Sequence, residues 1–310
     1  MDAQAVILEE PGRLAMRPLA LTPLGPTDLL VEVCWSGVSS GTEKLLWAGR
    51  MPSFPGLGYP LVPGYESVGD VIDAGGDVRT RIGERVFVPG AACWQDARSL
   101  FGGTARRVVI ASARALRVAP ALGHDAILLT LAATAHHVLA GGAMPQLIVG
   151  HGILGRLLAR LVVALGGPAP TVWEKAAGRR DAAGYAVLDP EADTRRDYIA
   201  VCDASGDPAI LDTLIGRLAR GGEIAMAGFY EAPLSFAFPP AFMREARIRV
   251  AAEFTPADMT AVLALVASGK LRLDGLVSHV RPAAEAPDAY PQAFEDPACL
   301  KMVLDWEGIA

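Results

Sequence analysis

Three glycines carry the clearest chemistry in the chain. Gly150, Gly152 and Gly155 form a GxGxxG pattern directly after the apolar run Leu147 to Val149 and directly before an apolar helical pattern. The first glycine permits a tight turn, the second lets the backbone approach a pyrophosphate, and the third lets helix and strand pack closely. Free N–H groups at the helix start, around Ile153 and Leu154, then face the phosphates. Glu174 ends the next apolar run, 24 residues after Gly150. A carboxylate there accepts hydrogen bonds from adenosine ribose hydroxyls and repels a 2′-phosphate. Lys175, Arg179 and Arg180 follow at once and could instead receive that phosphate, so the carboxylate argues for NAD against a basic neighbourhood. Asp203 and Ser205 close one later run and Gly228 another, positions that line a nucleotide at the carboxyl ends of strands.

Such a site needs parallel strands with helices between them, and the chain after Ala126 has that rhythm. A buried helix is expected over Ile127 to Leu139, a strand over Leu147 to Val149, a helix over Ile153 to Leu165 and a strand over Thr171 to Trp173. The alternation continues through Tyr198 to Asp203, Pro208 to Leu218, Glu223 to Ala227, Ile248 to Ala252 and Pro256 to Ala267, the pattern of a doubly wound parallel sheet. Between Asp189 and Asp197 there is no room for a crossover helix. Before Pro120 the text is different, with short apolar segments (Val6 to Leu8, Leu29 to Cys34, Ser67 to Ile72, Arg85 to Val88, Arg107 to Ile110) broken by Gly and Pro. That reads as an irregular β domain. A lone strand over Leu276 to Val280 is expected to return to it.

The 310 residues are enough for about two domains. With 52% hydrophobic and 20% charged residues the chain must fold, and a net charge of −6 without basic runs excludes nucleic acid as a partner. The most apolar stretch, Leu147 to Gly167, carries His151, Arg156, Arg160 and five glycines, so no transmembrane segment is expected. Met1 and Asp2 open without a cationic region or apolar signal core, and Cys34, Cys93, Cys202 and Cys299 are scattered without CxxC spacing. Both features suit a cytoplasmic chain.

The order of parts resembles the medium-chain dehydrogenase/reductase superfamily, the zinc alcohol dehydrogenases and their relatives, over nearly the whole chain. The resemblance rests on Gly37 to Glu43, on Pro63, Gly64, Tyr65, Glu66 with Gly69, on Gly83, Arg85, Val86, on Gly102 and Gly103, and on Thr134, Ala135 and His137 before the glycine motif. It implies an α/β protein in which a GroES-like catalytic domain (1–122, completed by 275–310) accompanies a Rossmann domain (123–274). Zinc members carry a cysteine where Ser39 or Ser40 stands and a histidine where Tyr65 stands. A hydroxyl and a phenol do not replace thiolate and imidazole around Zn²⁺, so a metal-free member is expected. The text Trp35 to Trp47, Gly49 to Pro52 and Tyr59 to Glu66 is more specific still. It resembles a zinc-free branch that oxidises the 1-hydroxyethyl group on ring A of a chlorin or bacteriochlorin to acetyl in bacteriochlorophyll synthesis, which implies a tetrapyrrole substrate.

Without zinc, a protein hydroxyl or carboxylate must hold the alcohol. The resemblance brings together the loops bearing Tyr65, Ser39, Thr42, Glu43 and Glu66, of which Tyr65 is the first choice because a phenol both donates and accepts. His136 or His137 is a candidate proton relay. Met51 to Pro60 and Phe229 to Met243 read as apolar loops, either a platform for the macrocycle or, for the second, a homodimer interface. Arg50 and Arg244 are the cations placed to meet substrate carboxylates. Two other readings stay open: a zinc-free NAD(P)H quinone or enone reductase of the same fold, and a nucleotide-binding regulator without turnover.

Overall fold

The computed structural model describes residues 1–53, 55–181, 184–230 and 232–309. The chain divides into two units, one of residues 1–130 with 274–310 and the other of 131–273. The first unit therefore runs past the boundary expected at 122. The reason is local: the turn-rich segment Pro120–Leu128 packs on the first unit's sheet, with Ile127 Cδ1 only 3.1 Å from where a Cβ on Gly37 would stand.

The first unit opens with the hairpin β1 (Asp2–Glu10) and β2 (Arg13–Ala20). It continues through β3 (Asp28–Val38), α1 (Thr42–Trp47), β4 (Leu61–Val62), β5 (Ser67–Ala74), β6 (Arg85–Val88), β7 (Arg98–Ser99), β8 (Arg107–Ala111) and β9 (Leu116–Arg117). The second unit follows with α2 (Leu129–Ala140), which straddles the boundary, then β10 (Leu147–Val149), α3 (Ile153–Ala164), β11 (Thr171–Trp173) and β12 (Ala186–Leu188). It is completed by β13 (Tyr198–Asp203), α4 (Leu211–Ile215), β14 (Leu218–Met226), α5 (Phe238–Arg244), β15 (Arg247–Val250) and α6 (Pro256–Ala267). The chain then returns to the first unit as β16 (His279–Pro282), α7 (Ala286–Glu295) and β17 (Met302–Asp305).

In the second unit six parallel strands lie in the order β12-β11-β10-β13-β14-β15. Strands buried on both faces need continuous apolar runs, and Leu147, Ile148 and Val149 of β10 are all buried. The order reverses between β10 and β13, so a crevice opens at their carboxyl ends, where Gly150 and Asp203 stand. No helix occupies 189–197. Its place is taken by Asp193, a buried carboxylate accepting from Trp173 Nε1 (2.7 Å), the Tyr198 hydroxyl (2.7 Å) and the Arg195 N–H (2.8 Å). Three donors offset the cost of burying that charge.

Some elements differ from expectation. The helix expected over 208–218 is only α4, five residues long. The supposed loop 229–243 contains the start of α5, whose Pro239 and Pro240 occupy the first turn, where a missing N–H costs nothing. The C-terminal strand lies at 279–282 rather than 276–280, and it is β17, not β16, that joins β3. Among the described residues no helix is long and apolar enough to cross a membrane.

The first unit's larger sheet runs β16-β17-β3-β5-β6-β9, with β8 also paired to β3. Its register decides what the ends of the strands bring together. Met302 pairs with Val38, and Ser36 pairs with Ser67. The residues just beyond, Lys301, Ser39 and Glu66, therefore lie abreast at one end of three neighbouring strands.

Candidate active site

Ser39 leaves β3 at this end, α1 begins three residues later, and Tyr65 and Glu66 lead into β5. The Tyr65 hydroxyl donates to Ser39 Oγ at 2.9 Å, and the Thr42 N–H reaches the same oxygen at 3.3 Å. With both acceptor positions of Ser39 taken, its own hydroxyl hydrogen is free to point elsewhere. Tyr65 packs edge-on against Phe101, with centroids 5.3 Å apart. Burial, with Glu66 and Glu43 nearby, pushes its phenol above the ordinary tyrosine range, so Tyr65 works as a neutral hydroxyl and not as a phenolate. Gly64, at φ +96°, has no room for a side chain because a Cβ would stand 2.0 Å from Thr104 Oγ1.

Behind these hydroxyls lies a buried charged group. Glu66 is 1% exposed and its Oε2 accepts from the ammonium of Lys301, itself 3% exposed. A Cβ on Gly37 would stand 2.6 Å from that Oε2, so the glycine makes space for the ion pair. Burial outweighs the pull of Lys301 and leaves the Glu66 carboxyl above its ordinary range. Glu43, the second residue of α1, is 1% exposed, and among the described residues neither carboxyl oxygen has a partner within hydrogen-bond distance, the Tyr290 hydroxyl being a neighbour that lowers its carboxyl. Burial, and the neighbouring Glu66 charge after it, push its carboxyl up to about 8. Lys301, Tyr290 of α7 and Thr104 complete the surroundings. No motif pointed to these three, because they meet only through strand and helix packing.

In the second unit the glycine loop has the geometry a pyrophosphate needs. Gly150 has φ +93°, a conformation that suits glycine alone. A Cβ on Gly155 would stand 1.9 Å from Gly150 O, whereas one on Gly152 would meet nothing within 4 Å. α3 begins at Ile153 and Leu154 without a side-chain cap, leaving its first N–H groups available to an anion. Glu174 lies beside the loop: its carboxylate accepts from the N–H of His151 at 3.0 Å and of Ala176 at 2.8 Å. Ala204 and Ser205 abut Gly150, and Gly228 lies against Gly206, so the expected positions do converge. Asp203 is turned inward, fully buried, holding the Tyr230 hydroxyl and the Ser205 N–H (3.2 Å). It shapes the loop from beneath.

His151, inside the glycine motif, is a residue whose side-chain role the motif does not reveal. Its buried ring donates from Nδ1 to Arg179 O at 2.6 Å and accepts at Nε2 from the Tyr185 hydroxyl at 3.0 Å. Burial holds the imidazole below its ordinary range, which keeps it neutral and this tautomer intact. Arg180 is spent on the carbonyls of Glu174 (2.7 Å) and Lys175 (2.7 Å) and on Asp189, and Lys175 pairs at 3.5 Å with Asp207.

The remaining candidates have other duties. His136 and His137 hold the two oxygens of Asp258 through Nδ1 at 2.7 and 2.9 Å, and Asp258 also closes a capping box with Thr255 at the start of α6. Burial works against that charge, yet the hydrogen bonds from Thr255 and the histidines hold the carboxyl below the usual range. The pair is a clamp between α2 and α6. Arg244 donates to the carbonyls of Leu218 and Gly216, so it secures α5 to β14. Arg50 lines an open cavity of about 430 Å³ in the first unit, together with Lys44, Trp47 and Phe294. In the loop 51–60, Met51, Leu57 and Tyr59 pack onto Leu46, Leu61 and Leu100, and Phe54 lies outside the described residues. Among the described residues no three His, Cys, Asp or Glu side chains converge as metal ligands would.

Comparison with known proteins is consistent with this geometry. Residues 25–121 match the alcohol dehydrogenase GroES-like domain. Over 98% of its length the chain superposes on 99% of a short chain alcohol dehydrogenase from Escherichia coli complexed with NADH, with a TM-score of 0.85 at 18% identity. It is 57% identical to the 2-desacetyl-2-hydroxyethyl bacteriochlorophyllide A dehydrogenase of Rhodobacter capsulatus, covering 99% of both chains. It is 55% identical to the protein of the same name from Cereibacter sphaeroides, covering 100% of both. An identity of this size, kept from end to end and joined to an alcohol dehydrogenase fold, makes the chain an alcohol-oxidising member of the medium-chain superfamily, and it belongs to the family of 2-desacetyl-2-hydroxyethyl bacteriochlorophyllide A dehydrogenases.

Proposed function

We propose that this chain oxidises the hydroxyethyl group of a 2-desacetyl-2-hydroxyethyl bacteriochlorophyllide to acetyl, with NAD⁺ as hydride acceptor and without a metal. The observation that carries the reading is the full-length likeness to two dehydrogenases named for that substrate; the metal-free part rests on the resemblance that sets Ser39 and Tyr65 at the ligand positions of zinc members. Bound nicotinamide supplies the hydride acceptor. Gly150, Gly152, Ile153, Leu154 and Gly155 hold the pyrophosphate, Glu174 the adenosine ribose, and the turn Ser205 with Gly228 closes the site beside them. Tyr65 and Ser39 hold the alcohol oxygen by hydrogen bonds, with Thr42 fixing Ser39. Glu66 is tied to Lys301 and supports from behind. The test is incubation of the chain with NAD⁺ and a hydroxyethyl bacteriochlorin or chlorin, watching for the acetyl product's red-shifted absorption. Product should form in the presence of a chelator and without bound zinc. Stoichiometric zinc, with activity lost on chelation, overturns the metal-free mechanism.

The NAD preference rests on Glu174 and on Arg180, which is committed to two backbone carbonyls and to Asp189. Replacing Glu174 by alanine should narrow the ratio of NAD⁺ to NADP⁺ efficiency. Faster reduction of NADP⁺ than NAD⁺ by the unaltered chain refutes the assignment. The chain is read as a cytoplasmic homodimer. β15 is the edge of its sheet, and Val250 (75% exposed), Phe238 (67%) and Phe242 (65%) form an apolar border that a second copy would cover. A monomer mass in sedimentation argues against the pairing, and recovery of the chain in a periplasmic fraction against the location.

A further inference from the structure

His151 joins two segments that meet different parts of a dinucleotide, the glycine loop and the turn after β11, and all four of its polar groups are engaged. Its N–H donates to Glu174 Oε2 at 3.0 Å, and its carbonyl accepts from Arg156 Nε at 3.1 Å. On the ring, Nδ1 donates to Arg179 O at 2.6 Å and Nε2 accepts from the Tyr185 hydroxyl at 3.0 Å. Tyr185 also packs edge-on against the imidazole, with centroids 5.6 Å apart. From the ring a hydrogen-bonded path leads back to the carboxylate. The Arg179 N–H donates to Ala176 O at 3.0 Å, and the Ala176 N–H donates to Glu174 Oε1 at 2.8 Å. Both oxygens of Glu174 are therefore set by His151, one through its backbone and the other through its ring and the turn Ala177–Arg179.

The turn needs such a tie, because none of its three residues is buried and it has no apolar anchor of its own. Arg180 folds back onto the carbonyls of Glu174 and Lys175, which closes the turn on its own strand without fixing it to the glycine loop. Two side chains do that. Arg156 reaches Arg179 O at 3.4 Å and pairs with Asp181, whose side chain is 55% exposed, and an ion pair so open to water contributes little. The His151 ring is fully buried, so a partner lost there is not replaced by water and the cost falls in full. The imidazole is the stronger of the two ties.

We propose that His151 is a specificity-determining residue: its ring holds the turn after β11 against the glycine loop, and thereby holds Glu174 in the orientation that receives a ribose diol and excludes a 2′-phosphate. It is a positioning residue that acts through Glu174, and the inference rests on the NAD reading above. With the ring tie cut, Glu174 Oε1 loses the Ala176 N–H and the carboxylate turns away from the ribose edge. A 2′-phosphate then meets Lys175, whose side chain is largely exposed.

The test is calorimetric titration of the full chain and its variants with NAD⁺ and with NADP⁺. His151→Phe keeps a ring and the backbone N–H but loses both ring nitrogens. Its NAD⁺ dissociation constant should rise about tenfold, and its preference for NAD⁺ fall by a similar factor, the size usual when a buried polar group loses its partner. His151→Asn sets an amide N–H where Nδ1 stood and should retain most of the preference. Tyr185→Phe leaves the imidazole but removes the donor to Nε2, so it should shift the preference the same way by less, and it serves if His151→Phe does not fold. In the double variant of His151→Phe with Glu174→Ala the preference should match that of Glu174→Ala alone, because a residue acting through another adds nothing once that other is gone. Amide hydrogen exchange of the cofactor-free chain is a second readout: the Ala176 N–H should exchange faster in His151→Phe, and as in the unaltered chain in His151→Asn. An unchanged preference in His151→Phe and Tyr185→Phe, whatever their melting temperatures, overturns the proposal. So do effects at 151 and 174 that simply multiply in the double variant. A preference of the unaltered chain for NADP⁺ defeats the NAD reading alone, since faster Ala176 exchange and a non-additive double variant still carry the proposal.

Discussion

Tyr65→Phe is expected to lower turnover by about 10² to 10⁴ while leaving dinucleotide affinity unchanged, the range usual for loss of a positioned acid or base. The substitution removes one oxygen and little else. The ring keeps its edge-on contact with Phe101, so the fold at the start of β5 should survive. What disappears is the hydrogen bond to Ser39 Oγ and a hydroxyl able both to donate to and accept from the substrate oxygen. A purely structural tyrosine would behave differently, since this phenol satisfies no buried backbone group. Steady-state rates at saturating NAD⁺, with a separate titration of the cofactor, provide the check. Turnover near that of the unaltered chain would move the role to Ser39, whose hydroxyl hydrogen is uncommitted, and not to Glu66, whose carboxylate is held by Lys301.

Gly155→Val should abolish measurable dinucleotide binding and cost about 1–3 kcal/mol of stability, the usual range for overpacking. The obstacle is backbone: a Cβ at 155 would lie 1.9 Å from Gly150 O, and neither α3 nor the loop can yield without opening the turn. Gly152→Ala separates the two effects, because its Cβ meets nothing in the protein. That variant should melt as the unaltered chain does and still bind NAD⁺ more weakly, since the methyl group stands where the pyrophosphate approaches. Calorimetric titration with NAD⁺ and thermal melting distinguish these outcomes. Undiminished NAD⁺ affinity in Gly155→Val would show that the loop does not carry the cofactor.

The glycine loop, the strand before it and α3 after it were legible because every requirement is local: a turn, a close approach and a helix start lie within about ten consecutive residues. That Ser39 and Tyr65 belong to one site was legible by resemblance alone, since nothing in a lone serine or tyrosine marks it; the structure joins them by a hydrogen bond. The histidines show the opposite case. A histidine pair on a buried helix suggests a proton relay until Asp258, more than a hundred positions away, is found holding both rings. Arg244 on an apolar segment suggests an anion site until its guanidinium is found on two carbonyls of the preceding turn and strand.

Composition, periodicity and the glycine spacing by themselves determined a two-part α/β chain with a nucleotide loop, because local sequence sets strand and helix period and the backbone freedom of a turn. Only the tertiary structure decided which side chains share an environment. Lys301 and Glu66 are 235 positions apart, and they meet because β17 and β5 both pair with β3 in a register that aligns their ends. Strand register is a non-local choice, settled by which apolar faces bury together. The buried meeting of Glu43, Glu66 and Lys301 exists only after that choice is made.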